Sequence, residues 1–332
     1  MNISVLGAGA WGSALAISLA TKNQVLLWGR KPELMQQMQT QRENQTYLAG
    51  CPFPPDLQAT ADFEQAMAHA SSADGLLIIA TSVSGLRPLL QQCLPFQPKH
   101  VVWLCKGFEE GTQLLPHQVV RQVLGDAAQA GALSGPSFAQ EVAKGLPCAL
   151  TIASTSAELC QKVVSAVHGN AIRVYSSDDV VGVEVGGAVK NILAIATGIA
   201  DGLGLGLNAR AALMTRGLAE ISRLSAALGG RVETLMGLTG VGDLILTCTG
   251  DLSRNRKVGL ALAQGKSLSL IVQELGHVAE GVRCAQAVKT LAASLQVEMP
   301  ITDAVAGVLF DQISAQQMIA RLLARDAKQE VL

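Results

Sequence analysis

Lys190 stands in the run Val183-Glu184-Val185-Gly186-Gly187-Ala188-Val189-Lys190-Asn191-Ile192-Leu193, where almost every neighbour within two helical turns is apolar or glycine. A helix of this composition belongs inside a protein. A lysine carried into it loses its hydration, which lowers its pKa from about 10.4 toward values at which it exchanges protons. Proton transfer that uses neither metal nor histidine needs such a group. Two structural roles compete with it: an ammonium that reaches the surface along its own stem, or one paired with Glu184. The five histidines, His69, His100, His117, His168 and His277, are dispersed, so they suggest neither a general base nor a metal site.

Three polar clusters accompany Lys190. Cys105-Lys106-Gly107-Phe108 follows the apolar run 101–104, which puts Lys106 at the carboxyl end of a strand, where ligands of open α/β sheets bind. Leu133-Ser134-Gly135-Pro136-Ser137-Phe138-Ala139 is a polar Gly-Pro loop able to present backbone N–H groups. Gly242-Asp243 through Thr247, and then Ser253-Arg254-Asn255-Arg256, set an acid and a basic, amide-containing turn in otherwise apolar surroundings. Arg254 and Asn255 at a helix start suit a phosphate, because the guanidinium offers a bidentate fork and the helix start offers N–H groups. Each loop taken alone also fits a purely structural role.

Gly7-Ala8-Gly9-Ala10-Trp11-Gly12 matches G-x-G-x-x-G directly after the apolar run 3–6 and before a helical segment from Ser13 to Ala20. In that context the glycines have separate tasks: a tight turn, backbone approach to a pyrophosphate, and close helix packing. About twenty residues on, where an NAD-preferring domain places an acid for the ribose 2′-hydroxyl, the chain reads Trp28-Gly29-Arg30-Lys31. Two cations just before a helix starting at Pro32-Glu33 oppose the helix dipole unless an anion lies between them, which points to the 2′-phosphate of NADP(H). A solvated basic loop is the alternative. Gly265-Lys266-Ser267 imitates the end of a P-loop, but Leu260 occupies the position that needs glycine, and no strand precedes it.

These groups require a scaffold. Up to residue 177, short apolar runs (3–6, 25–28, 76–79, 101–104, 149–152 and 172–175) alternate with amphipathic stretches, as in a Rossmann-type doubly wound, mostly parallel sheet buried on both faces. Thr155 followed by Glu158 fits a capping box for the helix before His168. From 178 the strand signal ends, and helical spacing covers 178–200, 208–228, 254–264, 267–275, 281–295 and 300–330. The expected division is therefore a dinucleotide-binding domain, 1–177, and an all-helical substrate and catalytic domain, 178–332. Gly202, Gly204 and Gly206 read as a tight connection between two helices.

Composition limits the partners. Of 332 residues, 49% are hydrophobic and 15% charged, and a net charge of -1 gives no electrostatic footprint for nucleic acid. The uncharged run 3–21 resembles an export leader in polarity, but no cation precedes it and its glycines belong to the phosphate loop. The most apolar later stretch, 192–200, is about half the ~20 residues of a spanning helix, so no membrane insertion is expected. Seven scattered cysteines without a C-x-x-C pair read as reduced thiols of a cytoplasmic protein. An apolar helical domain of this size suits a homodimer.

In combination these residues resemble the bacterial-type NAD(P)-dependent glycerol-3-phosphate dehydrogenase family over nearly the whole chain. The motifs are GAGAWGSALA at the start, CKGFE at 105–109, SGPSFAQEV at 134–142, EVGGAVKNILAIATGIADGL at 184–203, GVGDLILTCTG at 240–250, SRNRKVG at 253–259 and VAEGV at 278–282. The resemblance implies Lys190 as proton acceptor, with Lys106, Gly135, Ser137, Asp243, Ser253, Arg254 and Asn255 around the substrate. For the coenzyme, NADP(H) with NAD(H) also accepted, it implies Trp11, Arg30, Lys106, Ala139, Arg254, Val278 and Glu280 beside the loop glycines. Ala10 departs from the Ser or Thr of many members and concerns one phosphate contact. The family further implies a cytoplasmic enzyme converting dihydroxyacetone phosphate to sn-glycerol 3-phosphate for phospholipid synthesis. Another β-hydroxyacid-type reductase would not need Ser253-Arg254-Asn255 after Gly242-Asp243. A coenzyme-sensing protein without catalysis would need only the Gly7 loop and Arg30.

Overall fold

The computed structural model describes all residues except 170, 276–278, 327–328 and 330–332. The chain divides into two compact units, Met1–Cys105 with Pro116–Val180, and Lys106–Leu115 with Val181–Leu332.

The first unit alternates strands and helices: β1 (Asn2–Leu6), α1 (Ala10–Leu19), β2 (Gln24–Trp28), α2 (Pro32–Gln41), β3 (Leu57–Thr60), α3 (Phe63–Ala70), β4 (Gly75–Ile79), α4 (Val83–Cys93), β5 (His100–Trp103), α5 (Pro116–Leu124), β6 (Gln129–Ser134), α6 (Ala139–Ala143), β7 (Cys148–Ala153), α7 (Ala157–Val167) and β8 (Ile172–Ser177). The sheet order is β3-β2-β1-β4-β5-β6-β7-β8. All neighbours are parallel except β6 and β7, where Ser134 pairs with Thr151. The central strands are apolar on both faces because helices cover both; β4 is buried at every position. One face packs Leu15, Val142 and Val163 of α1, α6 and α7 against Ile3, Val5, Ile78 and Val102.

Two strands, β3 and β6, escape the reading of apolar runs. Their sequences, LQAT and QAGALS, carry few branched residues and take their strand state from their neighbours. The expected capping box also shifts: Ser156, not Thr155, caps α7 by accepting from the Leu159 N–H at 3.2 Å. Glu158 instead accepts from Gln129 Nε2 at 2.7 Å. Polar spacing alone left the cap one residue uncertain.

The second unit is helical among its described residues: α8 (Val180–Gly202), α9 (Gly206–Ala227), α10 (Val232–Leu235), α11 (Asp243–Thr249), α12 (Arg254–Ala263), α13 (Leu268–Leu275), α14 (Glu280–Ser294), α15 (Pro300–Phe310) and α16 (Ala315–Leu323). The single helix expected over 300–330 is two. It breaks after Phe310, and Ser314 with Gln317 forms a reciprocal capping box that starts α16. A buried carboxylate starts α15: Glu220 of α9 accepts from the backbone N–H groups of Ile301 and Thr302, at 2.6 and 3.1 Å.

The 23-residue α8 is the axis of this unit. By length and composition it is long and apolar enough to cross a membrane, yet 89% of its most apolar stretch is buried inside the protein. Segment 106–115 joins the same core, because Phe108 and Leu115 insert among the apolar side chains of α8 and its neighbours. A cut at 177/178 assigns that segment to the first half; its apolar contacts assign it to the second unit.

Candidate functional site: a lysine pair on one carboxylate

Lys190 and Asp243 meet because two backbones approach closely one turn earlier. Gly186 lies four residues before Lys190 on the same face of α8. A Cβ there would sit 2.5 Å from the Thr239 carbonyl, so only glycine lets the turn Leu238–Gly242 close onto α8. That turn delivers Asp243 as the first residue of α11, four positions after Thr239.

Lys190 is 6% exposed and Asp243 2%. The Lys190 ammonium pairs with Asp243 Oδ1 and donates to Thr247 Oγ1 at 2.9 Å. Thr247 in turn donates to the Asp243 backbone carbonyl at 2.6 Å. Lys106 Nζ lies 2.7 Å from Asp243 Oδ2. One carboxylate thus holds two ammonium groups, and two of the three Lys190 N–H donors are engaged. Both surface snorkelling and a Glu184 pairing are replaced by this arrangement.

Burial lowers the Lys190 pKa from 10.5 to about 8, Lys106 adds to the fall, and Asp243 and Glu280 oppose it. Burial pushes the Asp243 carboxyl up, but the two lysines outweigh it and hold the group below the usual carboxylate range. A charged carboxylate beside an ammonium that loses its proton near neutrality equips the cluster for proton exchange.

A second polar set adjoins Lys190 along α8. Asn191 Nδ2 donates to Glu280 Oε2 at 3.4 Å, and Asn255 Nδ2 donates to Asn191 Oδ1 at 2.9 Å. Asn255 Oδ1 accepts from the Gly281 N–H at 3.0 Å. The Asn255 amide is therefore held at both ends, which leaves its second Nδ2–H and its backbone N–H in the first turn of α12 for an anion. Ser253 caps α12 by accepting from the Arg256 N–H at 3.2 Å. Arg254, the first residue of that helix, is exposed.

The remaining expected residues fall in the first unit. Gly7 has φ +131, and a Cβ there would strike the Ala80 carbonyl at 2.5 Å; at Gly12 it would strike the Gly7 carbonyl at 2.0 Å. These two glycines serve the fold. Gly9 differs: its φ of -78 suits any residue, and a Cβ would meet nothing within 4 Å. The space over Gly9, at the start of α1, fits the pyrophosphate of a dinucleotide. Ala10, Trp11 and Gly12 form the first turn of α1, and α6, which begins at Ala139, packs along α1. Gly135 and Ser137 lie in the loop before α6, with Ser137 Oγ donating to the Gly135 carbonyl at 3.1 Å. Arg30 and Lys31 are exposed between β2 and α2, with Lys31 as the cap residue. Val278 lies outside the described residues.

Thr247, which closes the expected cluster 242–247, and Asn191 had no role assigned from the sequence. Thr247 sits four after Asp243 on one helix face, and Asn191 directly follows Lys190; helical spacing from a suspected centre was the available signal.

Two family models match the chain. Residues 2–160 match the model of the NAD-dependent glycerol-3-phosphate dehydrogenase N-terminus, and residues 179–320 match that of its C-terminus. A glycerol-3-phosphate dehydrogenase [NAD(P)+] of Herminiimonas arsenicoxydans is 66% identical over 331 residues, covering 100% of both chains. The enzyme of the same name from Paucimonas lemoignei is 68% identical, covering 99% of this chain and 98% of its own. The crystal structure of glycerol-3-phosphate dehydrogenase from Coxiella burnetii superimposes with a TM-score of 0.92 at 41% identity, over 97% of this chain and 98% of that one. With both halves matched and relatives near two-thirds identity over the full length, the chain belongs to the NAD-dependent glycerol-3-phosphate dehydrogenase family.

Proposed function

We propose that the protein reduces dihydroxyacetone phosphate to sn-glycerol 3-phosphate with NADPH, and also with NADH, using Lys190 as the proton donor. The observation that carries this reading is the buried Lys190, held by Asp243 and Thr247 with Lys106 on the same carboxylate. When bound, the nicotinamide supplies the hydride that the C2 carbonyl accepts.

The chain's own residues do the rest. The third Lys190 N–H donates to the oxygen at C2 as negative charge builds there, and in reverse neutral Lys190 takes the hydroxyl proton. Lys106 adds positive charge near the same oxygen. Asp243 fixes both ammonium groups and keeps Lys190 protonated at neutral pH. Arg254 and the N–H groups at the start of α12 bind the substrate phosphate, with Ser253 setting that helix start and Asn255 contributing its backbone. Gly135 and Ser137 line the substrate, while Gly9, Ala10, Trp11, Ala139 and Glu280 serve the coenzyme. Arg30 meets its 2′-phosphate. The product suits a cytoplasmic supply for phospholipid synthesis, and the apolar helical unit suits a homodimer.

The test is a spectrophotometric assay of NADPH oxidation with dihydroxyacetone phosphate against a panel of 2-keto acids, repeated with NADH and with Arg30→Ala. We expect turnover with the phosphate ester alone and a fall in NADPH preference for Arg30→Ala. Preference for a 2-keto acid would overturn the substrate, and an unchanged coenzyme ratio would overturn the role of Arg30.

A further inference from the structure

The glycine-rich loop is short of side chains able to hold its shape. Gly7 and Gly12 give it close packing, but Gly9, the residue over which a pyrophosphate must pass, is the cap of α1 and makes no side-chain cap bond. One polar side chain from elsewhere grips it. Asn44, in the loop after α2, is fully buried. Its Nδ2 donates to the Ala8 carbonyl at 3.1 Å and to Ser13 Oγ at 2.7 Å. These two acceptors bracket Gly9, one from the loop and one from the first turns of α1.

The orientation of this amide is determined by its other end. Asn44 Oδ1 accepts from the Tyr47 N–H at 3.1 Å, and the Asn44 carbonyl accepts from the Leu48 N–H at 2.8 Å, so residues 44–48 wind into a turn around the side chain. A flipped amide would set its oxygen against the Ala8 carbonyl and waste the Tyr47 donor. With the amide as found, the Ala8 carbonyl is committed to Asn44. A peptide plane whose carbonyl is so committed turns its N–H side, at Gly9, the other way. This matters because a carbonyl oxygen facing a pyrophosphate repels it, whereas N–H groups attract it.

We propose that Asn44 is the positioning residue of the coenzyme loop: it holds the Ala8 carbonyl and the start of α1 so that their N–H groups meet the pyrophosphate. This rests on the reading that the dinucleotide lies over Gly9. Asn44 touches the loop from beneath and takes no part in proton transfer, so its effect falls on coenzyme binding and not on the chemical step.

The test uses Asn44→Asp, nearly equal in shape, whose carboxylate cannot donate to Ala8. Binding of 2′-phospho-ADP-ribose, which carries the pyrophosphate, is measured by calorimetry on the purified full-length protein. The inhibition constant of 2′-AMP, which lacks the pyrophosphate, is measured beside it. We expect Asn44→Asp to weaken the first by tenfold or more and the second by less than twofold, with kcat at saturating NADPH retained and KM for NADPH raised. Equal loss of both ligands, or wild-type affinity for both, would overturn the proposal. Should Asn44→Asp fail to fold, Ser13→Ala removes one of the two acceptors and carries the same comparison, with a smaller selective loss expected. Gly9→Ala separates the two readings: its Cβ meets no protein atom, so it should fold and lose 2′-phospho-ADP-ribose. If Gly9→Ala binds normally, the placement over Gly9 fails and the role of Asn44 with it; if only Asn44→Asp binds normally, the role of Asn44 fails alone.

Discussion

Lys106 Nζ lies 2.7 Å from Asp243 Oδ2, on the carboxylate whose other oxygen takes Lys190. The two like charges are tolerated because the buried Asp243 carboxylate is shared between them, with Glu280 adding negative charge near Lys190. Burial lowers the Lys190 pKa to about 8 against the opposing pull of Asp243, so the proposed role of Lys190 as proton donor can be read from pH profiles.

The first prediction is a pH dependence of opposite sign in the two directions. Reduction needs the ammonium, so kcat/KM for dihydroxyacetone phosphate should be level below about 8 and fall about tenfold per pH unit above it. Oxidation of sn-glycerol 3-phosphate needs neutral Lys190 and should rise up to about 8, then level off. Rate profiles in both directions check this. A reduction limb breaking only near 10.5 would assign the proton to an ordinary exposed lysine.

Asp243→Asn removes the counter-charge and leaves two ammonium groups in a buried site. With its main upward influence gone, Lys190 should titrate still lower, moving the falling limb of reduction to lower pH. We expect a loss of about 10²-fold or more in kcat, and about 3 kcal/mol of stability by denaturant titration. An unmoved limb would mean that Asp243 does not set the Lys190 charge.

Arg254→Ala deletes an exposed side chain at the start of α12. A charge-assisted bond to phosphate contributes about 1.5–3 kcal/mol, so KM for dihydroxyacetone phosphate should rise roughly 10- to 150-fold. Melting temperature should hardly change, because the side chain has no buried packing to lose. An unchanged KM would remove Arg254 from the phosphate.

Gly198→Ala tests how α8 positions α12. A Cβ at Gly198 would stand 2.2 Å from the Arg256 carbonyl, a backbone atom that cannot step aside without moving the helix. We expect a destabilisation of about 1–3 kcal/mol, together with a raised KM for the phosphorylated substrate, because Ser253, Arg254 and Asn255 open the displaced helix. Thermal melting and steady-state kinetics on the same sample read both effects.

Much of this protein is legible residue by residue. The apolar runs that become β1, β2 and β4 are continuous because both faces of the sheet are covered, and the glycine loop shows itself through the strand before it and the helix after it. Lys190 stands out because a cation within two turns of aliphatic and glycine residues has no local reason to be there. Weakly patterned elements stayed hidden. β3 and β6 are strands by virtue of their partners, and the cap of α7 moved by one residue because Thr155 and Ser156 are equally able to serve.

Contacts between residues distant along the chain were decided only by packing. That Lys190 is answered by Asp243 and not by Glu184, a near neighbour, follows from Gly186 admitting the turn at 238–242, a fact about two backbones 53 residues apart. The inward turn of the Asn255 amide, the transfer of 106–115 to the helical core and the grip of Asn44 on Ala8 are of the same kind. Local composition fixes which groups are unusual, because desolvation acts through near neighbours in the chain. Which partner satisfies each group depends on the close approach of elements that only the folded chain brings together.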